Sequence, residues 1–302
     1  MNKVIVDFFV IGVARGGTTS LYNYLQQHPG IFLPKVKECN FFSDVESLDK
    51  EVYLDPEEGK DYHMKIIQTE KGYRQLFLKA KNDQLKGEVS PSYMWDKESA
   101  KRIYDHNKEA KLIVSLRNPI DRAYSHYLMN YHTGYEKAQS FEEALKAPIK
   151  TIWGGGNMYR EMGLYYSQLK AYYDLFDKHN ILVMVSEVWT GKNGKALNEV
   201  YEFLGIQPFS DYDAEEVFNV SKQLKNKGLL DFLRSDKIKR SLKKVLPEKT
   251  KEKIKEQLFY KEAEKRQLDN NIYDSLKEYY REDIKKTEAL IGINLTQKWD
   301  IE

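Results

Sequence analysis

Hydrophobic positions along the chain fall into two alternating kinds of segment. Short continuous apolar runs read as buried strands: Phe8 to Val13, Ile31 to Leu33, Lys111 to Leu116 and Ile181 to Trp189. Gly87 to Met94 reads as a further short strand ending in a turn. Between these runs, apolar residues recur at helical spacing, predicting helices over Thr18 to Gln27, Tyr73 to Ala80, Ser99 to Asn107, Pro119 to Tyr131, Tyr159 to Phe176 and Lys195 to Leu204. In the helix from Pro119, positions 120, 123, 124, 127, 128 and 131 share one face, and the proline suits a first turn. His28-Pro29-Gly30 stops the first helix, Gly154-Gly155-Gly156 makes a flexible break, and Gly205 ends the helix before it. Strands alternating with helices predict an α/β fold, a central parallel sheet flanked by helices.

Polar stretches interrupt this pattern. Residues 43 to 80 and 133 to 160 read as surface excursions. After Phe218 the character changes. Lys222 to Arg266 holds sixteen Lys and Arg against seven Asp and Glu and few strand formers, which predicts a basic, mostly helical segment. The expectation is one domain over 1-302, with a core of about 1-220 and a helical C-terminal extension of about 221-302.

Composition narrows the class. Apolar content is 41%, with 22 tyrosines, so the chain can bury a core. A net charge of +2 argues against a protein built to coat nucleic acid. Cys39 is the single cysteine, which excludes an internal disulfide framework and a Cys-based zinc cage. Asp7 breaks the N-terminal apolar run, no small-residue cleavage site follows, and no run reaches the ~20 apolar residues of a membrane span. A cytoplasmic protein is therefore expected. The basic C-terminal segment suits weak contact with a polyanion or an anionic membrane surface, or is simply a solvated face.

The candidate chemistry starts where the first strand empties into GVARGGTTS, Gly12 to Ser20, and opens a helix. Such a loop directs backbone N–H groups and the helix dipole at a phosphate-like anion. Compared with G-x-x-x-x-G-K-[ST], Gly12 and Gly17 match and Thr19 holds the hydroxyl position, but Thr18 stands where lysine belongs. The loop's cation is Arg15, and the strand Lys111 to Leu116 ends in Arg117 rather than a Walker-type Asp. A Mg-dependent kinase or NTPase normally needs both missing groups. That class stays as an alternative with a degenerate loop, beside a non-catalytic nucleotide- or glycan-binding module.

Three segments resemble the PAPS-dependent sulfotransferases (PAPS being 3'-phosphoadenosine 5'-phosphosulfate), most of all the glycosaminoglycan, heparan sulfate type. VARGGTTSL is similar to the family's 5'-phosphosulfate loop, LIVSLRNPIDRAYSHY to its 3'-phosphate segment, and KECNFF to its Glu-x-x-Phe-Phe segment. GEVSPSYM and the pairing of GLYYSQL with VSEVW are similar to further family blocks. The resemblance implies in-line transfer of a sulfuryl group from PAPS, without a metal, to a hydroxyl or amine of a glycan or glycolipid. It implies that Arg15, Gly16, Gly17, Thr18, Thr19 and Ser20 hold the 5' end, with Arg15 also catalytic. It also implies that Arg117 and Ser125 hold the 3'-phosphate, and that Glu38 is the general base. Lys37 would tune Glu38 or bind the acceptor, and Lys227-Gly228, with Lys222 and Lys225 as rivals, would close over the nucleotide. The departure is Arg15, where lysine is usual: a guanidinium clamps charge but cannot serve as a proton donor. The Lys-Thr-His context of the small-molecule enzymes is absent, so His28, His63, His106, His126, His132 and His179 read as helix-end or surface residues. Cys39 reads as a small filler.

Overall fold

The computed structural model describes residues 4–43, 67–133, 136–146, 157–189, 194–210, 222–224, 260–262 and 268–301. Its elements in chain order are β1 (Phe8–Gly12), α1 (Thr18–Leu25), β2 (Ile31–Phe32), α2 (Glu70–Gln75), β3 (Leu85–Val89), α3 (Ser92–Trp95) and α4 (Ser99–His106). Then follow β4 (Lys111–Leu116), α5 (Pro119–Thr133), α6 (Phe141–Lys146), α7 (Tyr165–Tyr173), β5 (Ile181–Val185), α8 (Ser186–Trp189) and α9 (Gly194–Leu204). The last four are β6 (Lys222–Leu224), β7 (Tyr260–Glu262), α10 (Asn270–Ile291) and α11 (Leu295–Trp299).

Five strands form one sheet in the order β2-β3-β1-β4-β5, and every neighbouring pair is parallel. Parallel strands need crossover helices, which cover both faces, so the central strands are apolar throughout rather than alternating. β1 is buried at all five positions, and β4 at every position after Lys111. On one face Leu21, Leu25, Val200, Tyr201 and Leu204 pack against Phe8, Val10 and Ile113. On the other, Ile120, Ala123, Tyr165, Leu169 and Tyr172 pack against Phe9, Ile11, Leu112 and Val114. β1 lies between β3 and β4, so the loop after it opens at the carboxyl edge of the sheet beside Arg117, where ligands bind in this architecture.

Several expected elements differ in detail. The helix expected over Tyr159 to Phe176 is broken: Glu161–Gly163 is a 3-10 turn, Leu164 is extended, and α7 begins at Tyr165. Gly163 is closely packed at this break: a Cβ there would lie 2.8 Å from the Tyr280 hydroxyl oxygen and 3.0 Å from Pro119 Cβ. The run to Trp189 is a strand only as far as Val185, where α8 begins. In the basic segment, expected to be mostly helical, Lys222–Leu224 pairs antiparallel with Tyr260–Glu262. The rival residue Lys222 stands on that strand. Lys225, Lys227 and Gly228 lie outside the described residues. α10 buries Leu276, Tyr280 and Ile284, joining the same apolar cluster as α5 and α7.

Candidate active site

The loop after β1 is built by hydrogen bonds to β4. Val13 N donates to Ser115 O (3.0 Å), Ser115 Oγ donates to Gly16 O (2.6 Å), and Gly16 N closes a turn onto Val13 O (2.9 Å). A Cβ on Gly16 would sit 2.4 Å from Ser115 O, so only glycine lets the loop lie this close to the strand. Arg15 (φ 71°) and Gly17 (φ 87°) are both left-handed, which turns the chain sharply into α1. Gly17 offers the helix no side-chain cap. The N–H groups of Thr18, Thr19 and Ser20, in the first turn of α1, have no acceptor within the helix. Thr18 and Ser20 are buried and Thr19 is exposed.

Arg15 reaches across the loop to α5. Its Nε donates to Ser125 Oγ (3.1 Å) and its Nη1 to Met129 Sδ (3.5 Å). Arg117, at the end of β4, donates from Nη1 to Arg15 O (3.0 Å), while its own carbonyl accepts from Tyr165 OH (2.8 Å). The loop and the strand-end segment therefore meet: Arg15, Arg117 and Ser125 form one contiguous group. Burial chiefly, then the positive charges of Arg117 and Arg122, depress the Arg15 pKa from the usual guanidinium range to about 10, while the carboxylate of Glu38 acts in the opposite direction. A half-buried guanidinium beside two others is a place that an anion would relieve.

Asn118 holds α5 in register with this group. Its Oδ1 accepts from Ile120 N (2.9 Å), its N–H donates to Glu187 Oε1 (2.8 Å), and its Nδ2 donates to Trp299 O (3.3 Å).

Glu38 stands on the segment after β2, near enough for its charge to act on Arg15. Its backbone is left-handed (φ 59°), as is that of Asn40 (φ 52°), and Glu38 N donates to Val89 O (2.9 Å). Lys37 Nζ is paired with Glu38 Oε1, and both side chains are largely shielded. The two residues thus act on one another directly.

Two buried groups escaped the sequence reading. Glu88 is 1% exposed and accepts from four side chains, one of them the Cys39 thiol, which is therefore a hydrogen-bond donor and more than a filler. The signal was present in GEVSPSYM, but an acidic residue in a strand pattern does not announce its partners. Arg122 is fully buried, donates from Nη2 to Tyr159 O, and leaves Nε and Nη1 without a hydrogen-bond partner among the described residues. Two histidines prove to be interior residues. His28 bonds to Gln207 O and Gly30 N, and His126 lies edge-on to Tyr159.

Residues 6–288 match the protein family described as "Sulfotransferase domain". The chain belongs to the sulfotransferase family. Human carbohydrate sulfotransferase 15 is 26% identical over 258 residues, covering 69% of this chain and 45% of that protein. Human heparan sulfate glucosamine 3-O-sulfotransferase 6 is 27% identical over 220 residues, covering 70% of this chain and 56% of that protein. This sulfotransferase-family chain thus spans about half the length of the curated relatives it matches. A crystal structure of a sulfotransferase from Alicyclobacillus acidocaldarius superimposes with a TM-score of 0.70 at 25% identity, covering 98% of this chain and 99% of that one. The P-loop-like sheet and the glycosaminoglycan-type resemblance both stand.

The cytoplasmic expectation is corrected by these relatives, carbohydrate and heparan sulfate sulfotransferases, which lend it no support. A lone cysteine and a broken N-terminal apolar run are weak guides to a compartment. No helix among the described residues is long and apolar enough to cross a membrane.

Proposed function

We propose that this chain transfers a sulfuryl group from PAPS to a hydroxyl or amine of a glycan. The observation that carries the reading is the junction of Arg15, Arg117 and Ser125, which unites the loop after β1 with the end of β4 and the second turn of α5. Two phosphate-recognising segments joined in this way suit a donor with anionic groups at both its 5' and 3' ends. Glycan-directed relatives support the acceptor class.

The residues fit that donor. Gly16 lets the loop lie against Ser115 of β4, and the first-turn amides of Thr18, Thr19 and Ser20 cradle the 5'-phosphate. Arg117 and Ser125 hold the 3'-phosphate, which draws Ser125 Oγ away from Arg15. The freed Arg15 then stands against the phosphate oxygen that gains charge as its bond to sulfur breaks. Glu38 takes the proton from the acceptor hydroxyl or amine as that atom bonds to sulfur, with Lys37 released toward the acceptor. The bond electrons leave with the adenosine bisphosphate product, PAP, so charge is balanced without a metal. Lys227-Gly228 is our candidate for the segment that closes over the nucleotide, and the basic C-terminal stretch is our candidate for weak polyanion contact.

Labelled PAPS incubated with fractionated glycans tests the reaction. Transfer by the wild type, together with a Glu38→Gln variant that binds PAP normally and transfers at least a hundredfold less, supports it. ATP turnover that requires Mg, with no PAP binding, would replace this reading by the kinase or NTPase alternative.

A further inference from the structure

Glu88 is an acid in the interior of a parallel sheet, where an ionised side chain is costly unless its oxygens are fully engaged. Both are engaged. Oε1 accepts from Cys39 Sγ (3.0 Å), Ser90 Oγ (2.7 Å) and Tyr93 OH (2.5 Å), and Oε2 accepts from Tyr73 OH (2.6 Å). All four donors are buried, and burial followed by the charge of Glu88 raises the Tyr73 and Cys39 pKa values, so these groups stay protonated as donors.

Two of these donors pass the contact on to the segment that carries the proposed base. Ser90 Oγ accepts from Asn40 N (3.3 Å), and Tyr93 OH accepts from Phe42 N (3.3 Å). With the direct bond to Cys39, one carboxylate thus fixes positions 39, 40 and 42, while Ser92 Oγ donates to Asn40 Oδ1 (2.7 Å). Glu38 and Asn40 on either side of Cys39 hold left-handed backbone conformations; asparagine takes this conformation readily, but glutamate does so at a cost that surrounding contacts must offset. Glu38 N is itself held by Val89 O (2.9 Å), on the strand that carries Glu88.

We infer that Glu88 is a positioning residue, whose carboxylate holds the left-handed 38–40 turn through Cys39, Ser90 and Tyr93 and so aims Glu38 at the Arg15 loop. This rests on the proposed role of Glu38, but its geometric half can be tested apart from it. A purely packing role would lower stability without any link to Glu38.

The test uses the full chain with Glu88→Gln, Glu38→Gln and the double variant. It reads transfer from labelled PAPS to pooled desulfated glycosaminoglycans, PAP affinity by calorimetry, and amide exchange at Glu38 and Asn40. For Glu88→Gln we expect kcat to fall ten- to a hundredfold, PAP affinity to stay within twofold, and the two amides to exchange at least tenfold faster. The double variant is expected to transfer no less than Glu38→Gln alone, because Glu88 acts through Glu38. Independent, multiplying losses or unchanged amide exchange overturn the inference. If Glu38→Gln keeps wild-type transfer, the assigned base is wrong, and the exchange measurement still decides whether Glu88 holds the turn. Should Glu88→Gln not fold, Cys39→Ala is expected to lose part of the transfer rate and of the exchange protection, and Cys39→Ser, which keeps a donor, to restore both. Equal behaviour of the two Cys39 variants would also overturn it.

Discussion

Arg15 is charged, half-buried and crowded by Arg117 and Arg122, and its depressed pKa carries a thermodynamic sign. A pKa lowered on folding means that the protonated form is disfavoured in the native state, so the penalty is fully present below about pH 10, throughout the neutral range. The fall to about 10 corresponds to a penalty on the order of 3 kcal/mol, reduced by solvent screening of a partly exposed side chain. Arg15→Gln is therefore expected to raise the melting temperature of the unliganded protein while weakening PAP binding at least tenfold. Thermal unfolding with and without PAP checks this, and a variant that is both less stable and unimpaired in binding would refute it. At Gly16 the argument is steric. Gly16→Ala would push its Cβ into Ser115 O, and is expected to cost about 1–3 kcal/mol and to abolish PAP binding. Calorimetry on a folded variant reads the second effect independently of the first.

At the scale of elements, the site depends on α5 starting at a fixed point. Asn118 caps that start, ties it to Glu187 and reaches the carbonyl of Trp299. Asn118→Ala is expected to lose about 1–2 kcal/mol, read as a drop of a few degrees in melting temperature, and to weaken PAP binding through displacement of Ser125. The strands beside it were legible in the sequence for a simple reason. Lys111–Leu116 is a mostly apolar run, buried at every position after Lys111, and it is bounded by Asn107 before it and the Arg117-Asn118-Pro119 turn after it. The loop was legible because glycines and hydroxyls between a strand and a helix have few other uses. Other features depend on contacts remote in sequence. Gly163 packs against Tyr280, more than a hundred residues away, and the Glu88 cluster gathers Cys39, Tyr73 and Tyr93 from three separate segments. No local period encodes either one. The left-handed backbone at Glu38 was equally hidden, since glutamate gives no turn signal.

Across the whole molecule, the C-terminal residues complete the layer that backs the site. α10 and α11 bury Tyr280, Ile284, Leu295 and Trp299 in the same apolar cluster as β1 and β4, and Tyr280 OH donates to Arg160 O (2.8 Å). Removing residues 268 to 302 is expected to abolish cooperative thermal unfolding, because Tyr165 and Leu169 would lose their cover. A sharp unfolding transition in the truncated chain would show that the core folds without it. Family membership and the joined arginine loops lead to one central claim, that this surface binds a nucleotide with phosphates at both ends and needs no metal to do so. Calorimetric titration of the full chain with PAP in excess chelator tests that claim most directly. The account predicts saturable binding of one PAP per chain, lost in Arg117→Ala and accompanied by a rise of several degrees in melting temperature at a hundredfold excess over Kd. Absence of binding heat and of any thermal shift, or binding that appears only with added Mg, would contradict it.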